Sequence, residues 1–167
     1  IANLINKKRK IKIISIDAHP VNNVRLRKNL KLLKNKTPNI FAYVKIKNCA
    51  VGDDNTNLNL DYSYGLANAF ISKNKKKLSV KCRKLINIIN SEKIKHITNL
   101  KIDIEGFEDK VLITFLKKCK KKLIPKNIVL EYSLKKQWKS DLINFLLKFG
   151  YKEIFKNKTN IILSFKK

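Results

Sequence analysis

Residues 100–112 read LKIDIEGFEDKVL. Residues 100–104 form a strand pattern, Gly106 follows at once, and Phe107, Val111, Leu112, Phe115 and Leu116 then recur at helical spacing until Pro125 ends the region. The stretch predicts a strand that turns tightly into a helix, with glycine where a side chain would interfere. Asp103 and Glu105 stand two apart at the strand end, so their side chains are expected on one face. Two carboxylates in a cleft repel each other, which can raise one pKa far enough for general-base work near neutrality. Equally, the two acids can complement the dipole of the helix after Gly106.

The same alternation runs outward in both directions. Downstream, residues 128–132 (IVLEY) predict a buried strand. Trp138, Leu142, Phe145 and Phe149 predict a helix closed by Gly150, and residues 151–155 and 160–165 predict a hairpin. Upstream, residues 1–8 read as the tail of a helix, residues 10–16 (KIKIISI) as a strand ending at Asp17, and Pro20 opens a helix carrying Val24, Leu26, Leu30 and Leu33. A turn at Thr37-Pro38-Asn39 leads to a strand over 40–49. Short strands are expected at 58–61 and 78–82, an irregular stretch at 62–69, and a helix over 85–94 with Leu85, Ile88 and Ile89 inward. Strands alternating with helices predict an α/β fold with a mostly parallel sheet covered on both faces, closed by an antiparallel hairpin. Residues 1–167 read as a single domain without repeat, linker or low-complexity tail.

Composition bounds the function. No apolar run has the length of a membrane span, and the start lacks a secretory pattern. The net charge of +27 invites a nucleic-acid partner. Lysines are scattered along the whole chain, however, and Asn and Ile are heavily used too, which points to codon bias rather than selection for charge. Nucleic acid is therefore not the favoured partner. Cys49, Cys82 and Cys119 lack zinc-ligand spacing, and their odd number argues against a disulfide framework. With His19 and His96 they read as filler in a reducing cytoplasm. The chain starts at Ile1 and contains no methionine, so it is expected to begin downstream of the start of translation.

In open parallel sheets, ligands bind outside the carboxyl ends of the strands. The residues there are Asp17-Ala18-His19-Pro20, Ala50-Val51-Gly52-Asp53, Asp103-Ile104-Glu105-Gly106 and Glu131. An acid such as Asp17 can accept hydrogen bonds from both hydroxyls of a ribose, or it can cap the helix that follows.

The order SIDAHP, KNCAVGDD, LKIDIEGFEDKVL, NIVLEY and GYKEIF resembles the FkbM family of methyltransferases over residues 10–165. The resemblance implies a Rossmann-like fold using S-adenosylmethionine to methylate hydroxyl groups of small molecules or glycans. It implies that Asp17 holds the cofactor ribose, that Ala18 and His19 lie beside the adenosine, and that Ala50 and Val51 line the adenine pocket. Asp103 and Glu105 match the catalytic acidic pair at the methyl and acceptor side, and Glu131 matches the acid at the end of the next strand, on the substrate side. Ala18-His19 departs from the Phe or Pro-Asn flank usual in the family, and Arg83-Lys84 stands where a Leu-Asp pair is common. The family's first strand and glycine-rich cofactor loop are expected upstream of Ile1. Without them, the strands ending at Asp17 and Asp103 are expected about 10 Å apart, two strand spacings, and the isolated chain is expected to be poorly stable and to bind cofactor weakly or not at all. Direct pairing of those strands would refute this layout. An RNA-modifying methyltransferase and an inactive α/β binding domain remain the competing readings, the oligomeric state is open, and residues 62–69 are a candidate for the substrate wall.

Overall fold

The computed structural model describes residues 11–34, 43–61, 70–71 and 78–166. The expected helix tail at 1–8, the turn at 37–39 and the stretch at 62–69 lie outside the described residues, as do the first residues of the strands expected from 10 and from 40. The chain divides into two compact units, one made of residues 1–50 and 56–82, the other of residues 51–55 and 83–167.

In the first unit, β1 (Ile13–Asp17) and β2 (Val44–Asn48) pair in parallel, from Ile13 opposite Val44 to Asp17 opposite Asn48. Between them runs α1 (Pro20–Lys34), on which Leu30 is buried while Val24 and Leu33 stay exposed. The β-branched run IISID favours the extended state, and Pro20 supplies a fixed φ suited to the first helical turn. The strand expected over 40–49 stops at Asn48. After Cys49 the chain resumes as β3 (Ala50–Gly52), in a sheet of order β3-β6-β4-β5, with β4 (Asn57–Asp61), β5 (Phe70–Ile71) and β6 (Leu78–Lys84). β4 is antiparallel to both its neighbours. Apolar periodicity locates these short strands but carries no information about their partners. Ala50, Leu60, Val80 and Cys82 form a small core.

The second unit holds a mixed sheet of order β7-β8-β10-β9. β7 (Asn99–Ile102) is parallel to β8 (Asn127–Glu131), in register from Asn99 opposite Asn127 to Ile102 opposite Leu130. β9 (Tyr151–Lys156) and β10 (Asn160–Phe165) make the expected hairpin, with β10 antiparallel to β8. Three helices complete the unit: α2 (Leu85–Ser91), α3 (Glu108–Lys118) and α4 (Leu142–Phe149). Alternate residues Ile128 and Leu130 on β8, and Ile161 and Leu163 on β10, are buried, as are Val111, Leu112, Phe115 and Leu116 on α3. Asp141 caps α4 by accepting from the Asn144 N–H at 3.0 Å, and Gly150 ends it in the left-handed region, φ 114°.

The α/β class, the parallel pairs and the closing hairpin agree with the sequence reading. Besides the break after Asn48, two elements differ: the helix expected over 85–94 ends at Ser91, and Trp138 precedes α4 with an extended backbone, after a 3-10 turn at Lys135–Gln137. Among the described residues, β1 pairs with β2 and β7 with β8. No helix among the described residues is long and apolar enough to cross a membrane.

Candidate active site

The site is built on the turn between β7 and α3. β7 ends at Ile102, and Glu105 and Gly106 both take positive φ, 56° and 93°. Strand alternation, the basis of the same-face expectation for Asp103 and Glu105, stops before either residue. The left-handed turn sets their placement instead. Positive φ is readily available to glycine and costly for glutamate, so residue 105 is held there by its surroundings.

The holder is Glu108, which is 2% exposed. Its Oε1 accepts from the Ile104 N–H at 2.8 Å and the Gly106 N–H at 3.4 Å, while its Oε2 accepts from the Trp138 indole N–H at 2.8 Å. Asp109, 1% exposed, accepts from the Lys139 and Ser140 N–H groups at 2.9 and 3.1 Å through Oδ2. Two buried carboxylates in the first turn of α3 thereby fasten the acidic turn and the segment after β8 to one helix end, where the helix dipole favours negative charge. The dipole-complementing role, weighed from sequence as the alternative for Asp103 and Glu105, falls in the first turn to Glu108 and Asp109. Two adjacent acids directly after the glycine are a usable signal for such a clamp. The contact with Trp138, thirty positions on, leaves no trace in the pattern.

Asp103, Glu105 and Glu131 are brought together. Asp103 Oδ2 pairs with Lys101 Nζ at 2.9 Å. Partial burial pushes Asp103 up, but the hydrogen bond with Glu131 and the Lys101 ammonium outweigh it and hold this carboxyl below its usual range. Glu131 moves the opposite way, raised chiefly by that same hydrogen bond with Asp103 and opposed by the Ser133 hydroxyl, which donates to its Oε1 at 2.5 Å. Within this pair Asp103 is the carboxyl held down and Glu131 the one pushed up. Glu105 is raised by burial first and then by the charges of Asp103, Glu131 and Glu108. Glu105, Gly106, Glu108, Glu131 and Ser133 line a shallow cleft. The turn thus gathers three carboxyl groups in different surroundings, Asp103 lowered by its partners and Glu105 and Glu131 raised.

In the first unit, Asp17 lies at the end of β1. Its Oδ1 accepts from the His19 N–H at 2.7 Å and its Oδ2 from the Asn22 amide at 3.2 Å. Asp17 thus steadies the entry to α1. A carboxylate offers about four acceptor positions, more than these two bonds use, so ribose hydroxyls fit this residue as well. His19 is buried, and its Nδ1 accepts from the Val21 N–H at 3.2 Å. The Asn48 amide donates to the carbonyls of Asp17 and Ala18 at 3.1 and 2.8 Å, fixing the strand end. Ala50 is buried in the small core of this unit, and Val51 packs on the larger core of the other. Lys84, at the position expected to differ from the family, pairs with exposed Asp54 at 3.2 Å. No group of three or more potential metal ligands occurs among the described residues.

The model of the methyltransferase FkbM domain matches residues 2–153. The crystal structure of Methyltransferase FkbM from Methylobacillus flagellatus KT is similar, with a TM-score of 0.57 at 15% sequence identity, over 93% of this chain and 36% of that one. At that identity the likeness speaks for the fold, and the chain spans little more than a third of that protein's length. No curated protein matches.

Proposed function

Because the chain belongs to the FkbM methyltransferase domain family, we propose that it transfers a methyl group from S-adenosylmethionine to a hydroxyl oxygen of a small molecule or glycan. The observation that carries this reading is the acidic turn, which holds Glu105 at φ 56° in a cleft with Glu108 and Glu131, where burial and neighbouring charge raise it. When bound, the cofactor supplies an electrophilic methyl group on a positively charged sulfur. The chain's own residues do the rest. Glu105 takes the proton of the acceptor hydroxyl, and its raised pKa brings it closer to the match that general-base catalysis needs at neutral pH. Asp103, kept charged by Glu131 and Lys101, contributes negative potential that favours a cationic partner. Glu131, at the end of β8, orients the acceptor by hydrogen bonding. The Glu108 clamp keeps these groups in fixed positions, and transfer of this kind depends above all on alignment. On the cofactor side, Asp17 accepts from the ribose hydroxyls, Ala18 and His19 flank the adenosine, and Ala50 and Val51 border the adenine. The resemblance of SIDAHP and AVGD to the family supports those roles.

Calorimetric titration with S-adenosylmethionine tests the assignment of Asp17. Asp17→Asn retains an oxygen for the His19 N–H but loses the acceptor for the Asn22 amide and weakens acceptance from hydroxyls, so affinity should fall about tenfold with only a small drop in melting temperature. Equal affinity of variant and parent would remove Asp17 from the cofactor site.

A further inference from the structure

The segment after β8 also forms one wall of an open groove, lined by Tyr132, Trp138 and the lysines 135, 136, 139 and 156. Lys135 Nζ and Lys156 Nζ lie over the Tyr132 ring, 5.6 and 5.4 Å from its centre. All four lysines are exposed, and no ion pair engages their ammonium groups among the described residues. The one acid in the lining, Asp141, is occupied as the cap of α4. Lysines on a surface are ordinary. Four of them around two aromatic rings, against the one carboxylate of Asp141, concentrate positive potential that an anion would relieve. The groove is also tied to the acidic turn, because Glu108 holds both Trp138 and the backbone of residues 104 and 106.

We propose that this groove seats an anionic saccharide, with a phosphate or carboxylate between Lys135 and Lys156 and a sugar ring against Trp138. That such a sugar is the methyl acceptor rests on the function proposed above; that it binds here does not. Single-stranded RNA fits less well, since it calls for successive aromatic platforms along a basic track. Here the lysines already lie over Tyr132, and Trp138 alone is left for stacking.

Trp138 is the single tryptophan of the chain, so its fluorescence reports on this groove directly. The probes are glucose 6-phosphate, glucuronate, glucose and an RNA decamer, titrated at constant ionic strength without S-adenosylmethionine. At least one charged sugar should give a saturable change about tenfold tighter than glucose, and the phosphate and carboxylate arms tell which anion is preferred. The double variant Lys135→Gln/Lys156→Gln should weaken that binding about tenfold, as the loss of two exposed charge pairs allows. The control Lys120→Gln/Lys122→Gln, on another surface of the unit, should stay within about twofold. Glucose binding as tightly as the charged sugars would overturn the proposal. So would an equal loss in the control pair, the absence of any saturable change, or the decamer binding more tightly than both charged sugars. Failure here together with measurable methyl transfer would discard the anionic ligand alone. Charged-sugar binding by a chain that never binds S-adenosylmethionine would discard methyl transfer and keep the groove.

Discussion

Replacing Glu108 with alanine should destabilise the second unit more than its distance from any reacting atom suggests. Two of its hydrogen bonds are strong in geometry, 2.8 Å from the Ile104 N–H and 2.8 Å from the Trp138 indole. The third, at 3.4 Å to Gly106, is long and counts for little. Alanine leaves two donors without acceptors, each costing about 1–3 kcal/mol. Some of this is offset because the wild type already bears the cost of burying a carboxylate. The expected net loss is about 2–5 kcal/mol, a large share of the roughly 5–15 kcal/mol that typically stabilises a folded protein. Glu108→Gln keeps one oxygen, so one donor stays satisfied while the amide N–H₂ meets the other head-on, for a loss of about 1–3 kcal/mol. Urea unfolding followed by Trp138 fluorescence should rank wild type above Glu108→Gln above Glu108→Ala. An alanine variant within about 0.5 kcal/mol of wild type, the range of ordinary surface changes, would refute the clamp.

Two further perturbations probe the turn. Gly106→Ala would bring a Cβ within 2.6 Å of Gln137 Oε1 while forcing alanine to φ 93°; the exposed Gln137 can swing away but the backbone strain stays. A loss of about 1–3 kcal/mol is expected that Gln137→Ala does not rescue, and urea midpoints equal to wild type would contradict it. The second is pH. Glu131 and Glu105 have raised pKa values when folded, so their stabilisation is complete below the unfolded value and is lost as pH rises through the folded one; Asp103 has a lowered value, so its contribution is lost as pH falls. Glu131→Gln fixes the neutral form, and its urea midpoint should fall less than that of wild type as pH rises from about 4 to 7. An unchanged pH slope would show that folding does not raise Glu131.

The strand–turn–helix order is legible because each element carries its own period. Ile102, Gly106 and the apolar face of α3 announce themselves over thirteen residues. Strand partners are not legible in that way: nothing local to Ala50–Gly52 says that it leaves the company of β2 for a sheet with β6 and β4. The acidic site is half legible. Asp103, Glu105 and Glu131 stand at strand ends, where carboxylates draw the eye. Their differing protonation, by contrast, depends on a hydrogen bond across the sheet between residues 28 positions apart, and on burial that composition does not reveal. Glu108 and Asp109 read as ordinary first-turn acids until their partners at 138, 139 and 140 are known. Trp138 reads as a helix residue because its spacing to Leu142 and Phe145 mimics a helical face, whereas a 3-10 turn and the Glu108 bond hold it in extended backbone ahead of the cap at Asp141.

The central claim is methyl transfer assisted by Glu105. The most direct test is incubation of the protein with S-adenosylmethionine labelled in the methyl group and a panel of neutral and acidic oligosaccharides, comparing wild type with Glu105→Gln. The account predicts label in an ether linkage on the acceptor with wild type, and a rate lower by about 10²-fold or more in the variant, the scale of a lost general base. Transfer by Glu105→Gln at the wild-type rate, or no label from a wild-type protein that binds S-adenosylmethionine, would contradict it.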